Sequence, residues 1–226
     1  MTTAIILTAR KEHDSLVPYP LLAFADGISL IDRSISILRE FKYDNILIVA
    51  GFRHEMFLKY ESSDIRIIFN KDYEFTASMG SLALCKDLIK DDFLLDEGDM
   101  FFEKTVVEQL SRLTAGNCIS ITEESGSGDE CFVETKNGFV TKITKDRHRV
   151  CNFEGEMMGI TRISLDTFHR IIEAWEHASN PYLNYEYLLM DVTEPLDRPY
   201  IRFKNVIWGD VDCLKDFKKL QNNIYR

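Results

Sequence analysis

Acidic side chains occur at two distant points of the chain where they could bind a cation. The segment FLLDEGD ends in Asp96, Glu97 and Asp99, and its glycine lets the chain turn so that Asp99 can point into a crevice. In WGDVDC, Asp210 and Asp212 share one side of an extended segment, because side-chain direction repeats every two residues. Mg²⁺ typically uses one or two carboxylates and completes its shell with water and phosphate oxygens. One carboxylate from each segment would form such a site, whereas the alternative for both segments is a solvated acidic turn.

Basic residues are concentrated in one segment, KITKDRHR, of an otherwise acidic chain. It contains Lys142, Lys145, Arg147 and Arg149, and Lys145 could neutralise a phosphate group. The alternative is an exposed hairpin arm. The segment TASMGSLAL begins a predicted helix with small residues and has Ser78 as its predicted N-cap. Backbone N–H groups at that helix start could face a base or a phosphate, or could form an ordinary capped end.

The loop after the first predicted strand contains no glycine, the residue that phosphate-binding loops normally contain. A short apolar strand, AIIL, leads into TARKEHDSL, and the loop after the first strand is where an α/β protein usually holds a phosphate. Such loops use glycine because backbone N–H groups must approach the anion closely. No glycine occurs between Leu7 and Ala25. The sequence therefore leaves open whether a nucleotide site here is built differently or has been lost.

The composition excludes several classes of protein. The chain has 226 residues and a formal net charge of −10, which argues against broad binding to nucleic acid or to anionic membranes. Five scattered cysteines without a CxxC pair favour reduced thiols over a zinc site. The sequence contains neither a signal-peptide pattern nor an apolar stretch long enough to cross a bilayer. We expect a cytoplasmic protein without membrane insertion.

The order of apolar and amphipathic segments predicts an α/β fold. Short apolar runs alternate with helical patterns in the first half, among them HEMFLKY and MGSLALCKDLI, which predicts a parallel sheet covered by helices. In the second half, strand-like runs including YIRFKNVIW and a KNG hairpin predict mixed strands. The predicted architecture is a Rossmann-like three-layer α/β/α arrangement with a mostly parallel central sheet. We expect a single domain, 1–226, with a nucleotide-binding half (1–115) and an acceptor-binding half (116–226).

The segments also resemble those of a known family, and they occur in the order found there. The segments that carry the resemblance are NILIVAGF, TASMGSLAL, FLLDEGDM, SGDECFVE, TKITKDR, GEMMGITRIS, NYEYLLM and IWGDVD. They resemble those of the nucleotidyltransferases that make nucleotide-activated sugars and alcohols, and the greatest similarity is to the cytidylyltransferases for phosphocholine and 2-aminoethylphosphonate. The resemblance implies an Mg²⁺-dependent reaction in which a phosphate or phosphonate oxygen attacks the α-phosphorus of CTP and pyrophosphate leaves.

The resemblance also implies roles for individual residues. Asp99 and Asp212 would bind Mg²⁺, and Lys145 would hold substrate phosphate. The nucleotide would lie against the first strand and the SMG segment, at Leu7, Ala9, Ser78, Met79 and Gly80. The acceptor pocket would be lined by Asp129, Glu156, Gly159, Tyr185 and Glu186. An acidic and aromatic pocket suits an ammonium group, through charge pairing and cation–π contact.

The first loop departs from the family pattern, in which a Gly-rich segment with an arginine precedes a Pro-Lys pair. Here the loop is TARKEHDSL, and Tyr19 stands at the lysine position. Arg10 and Lys11 are the nearest residues that could replace the missing phosphate contacts. Two alternatives therefore stay open: a non-catalytic nucleotide-binding or partner-binding protein, and a sugar-1-phosphate nucleotidyltransferase that uses another base. The acceptor and the oligomeric state are also open, with a homodimer among the options.

Overall fold

A nine-stranded sheet forms the centre of the protein in a computed structural model that describes residues 2–225. Its N-terminal half contributes parallel strands, namely β1 (Thr3–Thr8), β2 (Asn45–Ala50), β3 (Ile65–Phe69) and β4 (Phe93–Asp96). They lie in the order β4-β1-β2-β3. All six residues of β1 are buried, because helices cover both faces of a parallel sheet.

The C-terminal half adds strands of mixed direction. The remaining strands are β5 (Met100–Phe102), β6 (Cys118–Thr122), β7 (Phe132–Lys136), β8 (Phe139–Thr144), β9 (Phe153–Ile163), β10 (Tyr200–Arg202) and β11 (Trp208–Asp210). The long strand β9 runs antiparallel to β4, β6 and β7, and thereby joins the two halves of the sheet. Strands β5 and β11 form a separate antiparallel pair, which brings together two segments that are distant in the sequence.

Helices pack on both faces of the sheet. They are α1 (Leu30–Glu40), α2 (Ser78–Ala83), α3 (Lys104–Ser111), α4 (Leu165–Glu176), α5 (Tyr185–Val192) and α6 (Leu214–Ile224). Ile5 and Ile6, adjacent in β1, belong to different apolar cores, because neighbouring strand residues point to opposite faces. Phe168 of α4 packs in the first core, and Leu38 of α1 and Val106 of α3 pack in the second. This arrangement confirms the predicted three-layer α/β/α fold.

The HEMFLKY segment differs from the prediction. It forms two short 3₁₀ turns, His54–Met56 and Leu58–Tyr60, instead of a helix. Arg53, just before them, has a left-handed backbone with φ 52°. Phe57, between the two turns, is fully buried. A single buried side chain therefore anchors the segment, where an α-helix would need a longer apolar stripe.

The YIRFKNVIW segment also differs, because it is not one strand. Asn205 has a left-handed φ of 56°, a conformation that asparagine tolerates better than most residues and that ends an extended segment. The part before it, β10, pairs with β6, and the part after it leads to β11, which pairs with β5.

The helix predicted over MGSLALCKDLI is shorter than expected and ends at Ala83. Its N-cap is Ala77, and Ser78 is already the first helical residue. The prediction of Ser78 as the N-cap is therefore wrong. The Ser78 hydroxyl instead accepts a hydrogen bond from the backbone N–H of Tyr185 at 3.0 Å, and so it caps the start of α5.

Within the described part of the chain, no helix is both long and apolar enough to span a membrane.

Candidate active site

A crevice with a volume of about 1010 Å³ opens beside the carboxyl ends of β1 and β4. Its walls come from the loop after β1, the start of α2, the turn after β4, strand β9 and the segment after β11. This is the edge of an open α/β sheet where ligands bind. The volume is at the upper end of the range for small-molecule sites.

Most of the residues predicted from the sequence to form a site line this crevice. They are Leu7, Ala9, Arg10, Lys11, Ser78, Asp99, Asp129, Lys145, Glu156, Gly159, Glu186 and Asp212. Three others, Met79, Gly80 and Tyr185, lie behind the lining. The side chains of Met79 and Tyr185 are fully buried in the core, and a Cβ on Gly80 would approach Thr76 Cβ to 2.3 Å. Packing explains these three residues without a direct ligand contact.

The turn after β4 directs Asp99 into the crevice. The buried Asp96 accepts a hydrogen bond from the Gly98 N–H at 2.8 Å. Gly98 has a left-handed φ of 72°, and a Cβ there would approach the Leu7 carbonyl oxygen to 2.4 Å. Glycine is therefore needed both for the backbone conformation and for the close packing on β1. The Asp99 carbonyl accepts the Val211 N–H at 3.0 Å, which ties this turn to the segment that carries Asp212.

Arg10 joins the two aspartates that were predicted to bind metal. Its Nη2 atom lies 3.1 Å from Oδ2 of Asp99, and its Nη1 atom lies 2.6 Å from Oδ1 of Asp212. Nη2 also donates to the Val211 carbonyl at 3.1 Å. Burial raises the pKa of Asp99 to about 7, although Arg10 opposes this shift. Burial also raises the pKa of Asp212, but Arg10 outweighs it and leaves that pKa below its usual value.

The aspartate pair has the chemistry that a divalent cation requires. Asp99 and Asp212 supply hard oxygen atoms from two separate segments, and one cationic group already bridges them. Among residues 2–225, no group of three or more His, Cys, Asp or Glu side chains is arranged to hold a metal ion. Two carboxylates are nevertheless the number that Mg²⁺ typically uses when water and phosphate complete its shell. The residues present therefore fit Mg²⁺ bound together with a nucleotide.

The other two predicted phosphate-binding cations also have carboxylate partners. Lys11 Nζ lies 2.7 Å from Glu74, and Lys145 Nζ lies 2.7 Å from Asp129. Both lysine side chains are about half exposed, so each ion pair contributes little to folding and can be broken by a ligand. A phosphate group that used either lysine would have to replace its carboxylate partner.

Three carboxyl groups, Glu97, Glu156 and Glu186, also line the crevice. Burial and the nearby Glu186 raise the pKa of Glu97. Burial raises the pKa of Glu156 to about 7, against hydrogen bonds from Ser125. A Cβ on Gly159 would lie 2.8 Å from Cδ of Glu97, so the glycine makes room for that side chain.

Sequence reasoning did not assign four of the acidic residues in the lining to the site: Glu12, Glu74, Glu97 and Asp210. Glu97 and Asp210 belong to the acidic segments that were recognised, and their position beside a glycine was the available signal. No local pattern indicated Glu12, whose side chain is 3% exposed. Its Oε1 atom accepts the Tyr19 N–H at 3.1 Å, and its Oε2 atom has no hydrogen-bond partner within the described residues.

The first loop is attached to the C-terminal helix. Tyr19 is fully buried, and its hydroxyl donates to Oδ1 of Asp14. Oδ2 of Asp14 accepts the Leu214 N–H at 3.1 Å, at the start of α6. Tyr19, at the position where the resemblance led us to expect a lysine, therefore packs in the core.

Comparison with known proteins identifies the fold. No family model matches the chain. A 71-residue segment is 32% identical to the choline-phosphate cytidylyltransferase of Haemophilus influenzae, and this match covers 31% of the chain and 30% of that protein. The chain spans less than a third of that relative's length at this level of similarity.

Solved structures are similar over the whole chain. The CTP:phosphocholine cytidylyltransferase of Streptococcus pneumoniae gives a TM-score of 0.82 at 19% identity and covers 99% of this chain and 100% of its own. The inositol-1-phosphate CTP transferase of T. maritima gives a TM-score of 0.78 at 18% identity, with 99% and 96% coverage. The protein has the nucleotidyltransferase fold and is similar to phosphocholine cytidylyltransferases, which confirms the resemblance noted in the sequence.

Proposed function

We propose that the protein is an Mg²⁺-dependent cytidylyltransferase that transfers CMP from CTP to a small phosphate or phosphonate acceptor and releases pyrophosphate. The main support is the convergence of Asp99 and Asp212 with three cations in one crevice at the carboxyl edge of the sheet. A phosphate-transfer reaction depends on positioning and charge neutralisation. Acidic residues that can bind a metal ion, together with cations that can bind phosphate, would provide both. The similarity to cytidylyltransferases supports CTP as the nucleotide.

In the proposed reaction, an oxygen of the acceptor phosphate or phosphonate forms a bond to the α-phosphorus, and the bond to the β-phosphate oxygen breaks. A general base is not required, because the second pKa of a phosphate monoester is about 6 and the oxygen is already anionic near neutral pH. When bound, Mg²⁺ would neutralise charge on the phosphate oxygens, held by Asp99 and Asp212. Lys145 and Arg10 would orient the reacting phosphates.

An acceptor with an ammonium group agrees with the acidic lining of the crevice. Glu97 and Glu186 form no ion pair with any of the residues described, although their pKa values are raised by burial. An ammonium group close to them would favour their charged forms. Trp208 and Tyr182 also line the crevice and could contact a cation through their rings. Phosphocholine and 2-aminoethylphosphonate both carry such a group.

A second candidate is a catalytically impaired relative that binds nucleotide or a partner protein. Two observations favour it: each predicted phosphate-binding cation is paired with a carboxylate, and the first loop, which carries Arg10 and Lys11, has no glycine. Such a site would hold triphosphate weakly, because both the ion pairs and the ordering of side chains oppose binding.

Pyrophosphate release, measured across several nucleoside triphosphates and acceptors, separates these candidates. We expect release with CTP, Mg²⁺ and phosphocholine or 2-aminoethylphosphonate, and none without acceptor. Release with a sugar 1-phosphate and another nucleotide would favour the sugar nucleotidyltransferase alternative. Calorimetry with CTP and Mg²⁺ provides the second measurement, together with thermal unfolding, since a ligand that binds only the folded state stabilises it. CTP binding without turnover would favour the impaired relative, and absence of both heat and thermal shift at millimolar CTP would contradict nucleotide binding.

A further inference from the structure

The guanidinium of Arg10 lies where a metal bound by Asp99 and Asp212 would be expected. It contacts one oxygen of each carboxylate, at 3.1 and 2.6 Å. A divalent ion that used the same carboxylates would be repelled by this fixed positive charge at close range. Binding of the metal and the present position of Arg10 are therefore in competition.

The competition cannot be relieved by loss of a proton from Arg10. A guanidinium group is not deprotonated in proteins. The guanidinium must instead move away as a charged group. Its side chain is 47% exposed and lines the crevice, so a change of rotamer could carry it to another anion in the same space.

The surroundings of Arg10 make the aspartates its main partners. Glu12 Oε2 is 3.8 Å from Nε, and the Tyr19 ring centre is 5.9 Å from the guanidinium carbon. The triphosphate of a bound nucleotide would provide a new anion, and a guanidinium suits phosphate because its N–H groups can donate two parallel hydrogen bonds.

We propose that Arg10 is an exchangeable internal cation. Without ligand it neutralises Asp99 and Asp212, and when a divalent ion binds these carboxylates with the nucleotide, Arg10 moves from them to the triphosphate. This proposal rests on the proposed function for the identity of the nucleotide, but the exchange with metal can be measured without any nucleotide. Metal binding would thus free the Arg10 side chain to bind phosphate, in a loop that has no glycine for this purpose.

The exchange predicts opposite effects of one substitution on two ligands. Arg10→Ala removes the competitor, so it should tighten binding of the metal alone by roughly three- to tenfold, the range expected when partly exposed ion pairs are lost. The same variant should bind CTP more weakly than the wild type at saturating metal, because the triphosphate loses a contact. If Arg10 only helped to fold the site, its loss would not strengthen metal binding while weakening CTP binding.

The test is a titration of the metal-depleted protein with Mn²⁺ in the absence of nucleotide. Binding is measured by calorimetry and by the electron paramagnetic resonance signal of the free ion. Arg10→Lys should give an intermediate affinity, because an ammonium group is a point charge that cannot bridge two carboxylates in the same way. Lys11→Ala is the matched control, since Lys11 is the adjacent cation in the same loop but pairs with Glu74. Its Mn²⁺ affinity should equal that of the wild type.

A measurement on the wild type is independent of whether the variants fold. Mg²⁺ alone should shift the NMR signal of the Arg10 Nε–H group, identified by side-chain resonance assignment of the wild type. An unchanged signal at saturating Mg²⁺, or an Arg10→Ala affinity for Mn²⁺ equal to or weaker than that of the wild type, would overturn the exchange even if cytidylyl transfer is observed. If Asp99→Asn leaves the wild-type Mn²⁺ affinity unaltered, both the exchange and the proposed metal site are wrong.

Discussion

Replacement of Asp99 or Asp212 by asparagine removes an anionic oxygen ligand and changes the side-chain shape little. We expect each variant to lose Mg²⁺-dependent CTP binding and turnover, because a neutral amide is a poor replacement for a carboxylate ligand of Mg²⁺. The fold should persist, since asparagine keeps the side-chain shape and the ion pairs that are lost involve a half-exposed arginine. Calorimetry with CTP at several Mg²⁺ concentrations measures the first effect, and circular dichroism measures the second. Metal dependence like that of the wild type in either variant would contradict the assignment.

Lys145→Ala should weaken binding of the acceptor phosphate with little effect on folding. The lysine is about half exposed and pairs with Asp129, so its loss should cost at most about 1 kcal/mol of stability. We expect a higher Michaelis constant or a lower turnover with each acceptor. Lys142→Ala is the matched control, because Lys142 bonds to the Arg149 carbonyl on the same hairpin and is absent from the crevice lining. Equal kinetics for Lys145→Ala and the control would mean that Lys145 is only a surface residue of the hairpin.

The sequence could predict which residue types gather in the crevice, but it could not predict their pairing. Acids next to two strand ends were recognisable, because ligands of an open α/β sheet bind at the carboxyl ends of its strands, although β11 proved to pair with β5 outside the main sheet. The contact between Arg10 and Asp212 joins residues 202 positions apart. The local pattern of apolar and polar residues carries no information about such a distant contact. Glu12 was missed for the same reason, because its burial depends on the packing of the first loop against Tyr19.

Among the elements, the first loop depends on its attachment to α6 through Tyr19 and Asp14. Tyr19→Phe keeps the buried ring and removes the hydroxyl that donates to Asp14. We expect a loss of about 1 kcal/mol in the free energy of unfolding, the usual value of one hydrogen bond. Backbone amides of residues 10–17 should also exchange hydrogen faster.

Unfolding in denaturant and hydrogen exchange measure the two effects of Tyr19→Phe. Tyr43→Phe is a suitable control, since Tyr43 is also buried but its hydroxyl makes no hydrogen bond to another residue within 2–225. If amide exchange of the first loop is the same in both variants, the contact with Asp14 does not order that loop.

Elements with a continuous apolar period were predictable, and those fixed by one distant contact were not. Helix α1 is of the first kind, with a regular apolar face and a local cap, because Ser29 accepts the Asp32 N–H at its start. By contrast, the division of YIRFKNVIW depends on the turn at Asn205 and on the pairing of β11 with β5. The apolar pattern continues through that turn, so sequence periodicity alone joined two strands that belong to different sheets.

For the molecule as a whole, buried carboxyl groups predict a stability that falls as pH rises. Burial raises the pKa of Asp99 and Glu156 to about 7 and that of Asp96 to about 6. These groups keep their protons to higher pH when folded than when unfolded, so their stabilising effect is complete below about pH 4 and is lost as pH rises through their folded-state pKa. Asp26 and Asp64, whose pKa values are about 2, titrate well below this range.

Unfolding measured from about pH 5 to 8 in metal-free buffer tests this dependence. We expect the free energy of unfolding to decrease across the range by an amount on the order of 1–3 kcal/mol. Asp99→Asn should reduce the slope, because one of the titrating groups is removed. Stability that stays level or increases towards pH 8 would show that these carboxyl groups are not buried in solution as they are in the structure.

The ion pairs in the crevice also affect how fast a nucleotide can enter. Nine carboxyl groups and three cations line the crevice, and each cation already has an acidic partner. An incoming polyanion therefore meets repulsion, where most nucleotide-binding proteins offer attraction and electrostatic steering. Added salt screens this repulsion, so the association rate of a fluorescent CTP analogue should be higher at roughly 300 mM salt than at roughly 20 mM. A rate that instead falls with salt would mean that the cations separate from their carboxylate partners before the nucleotide arrives.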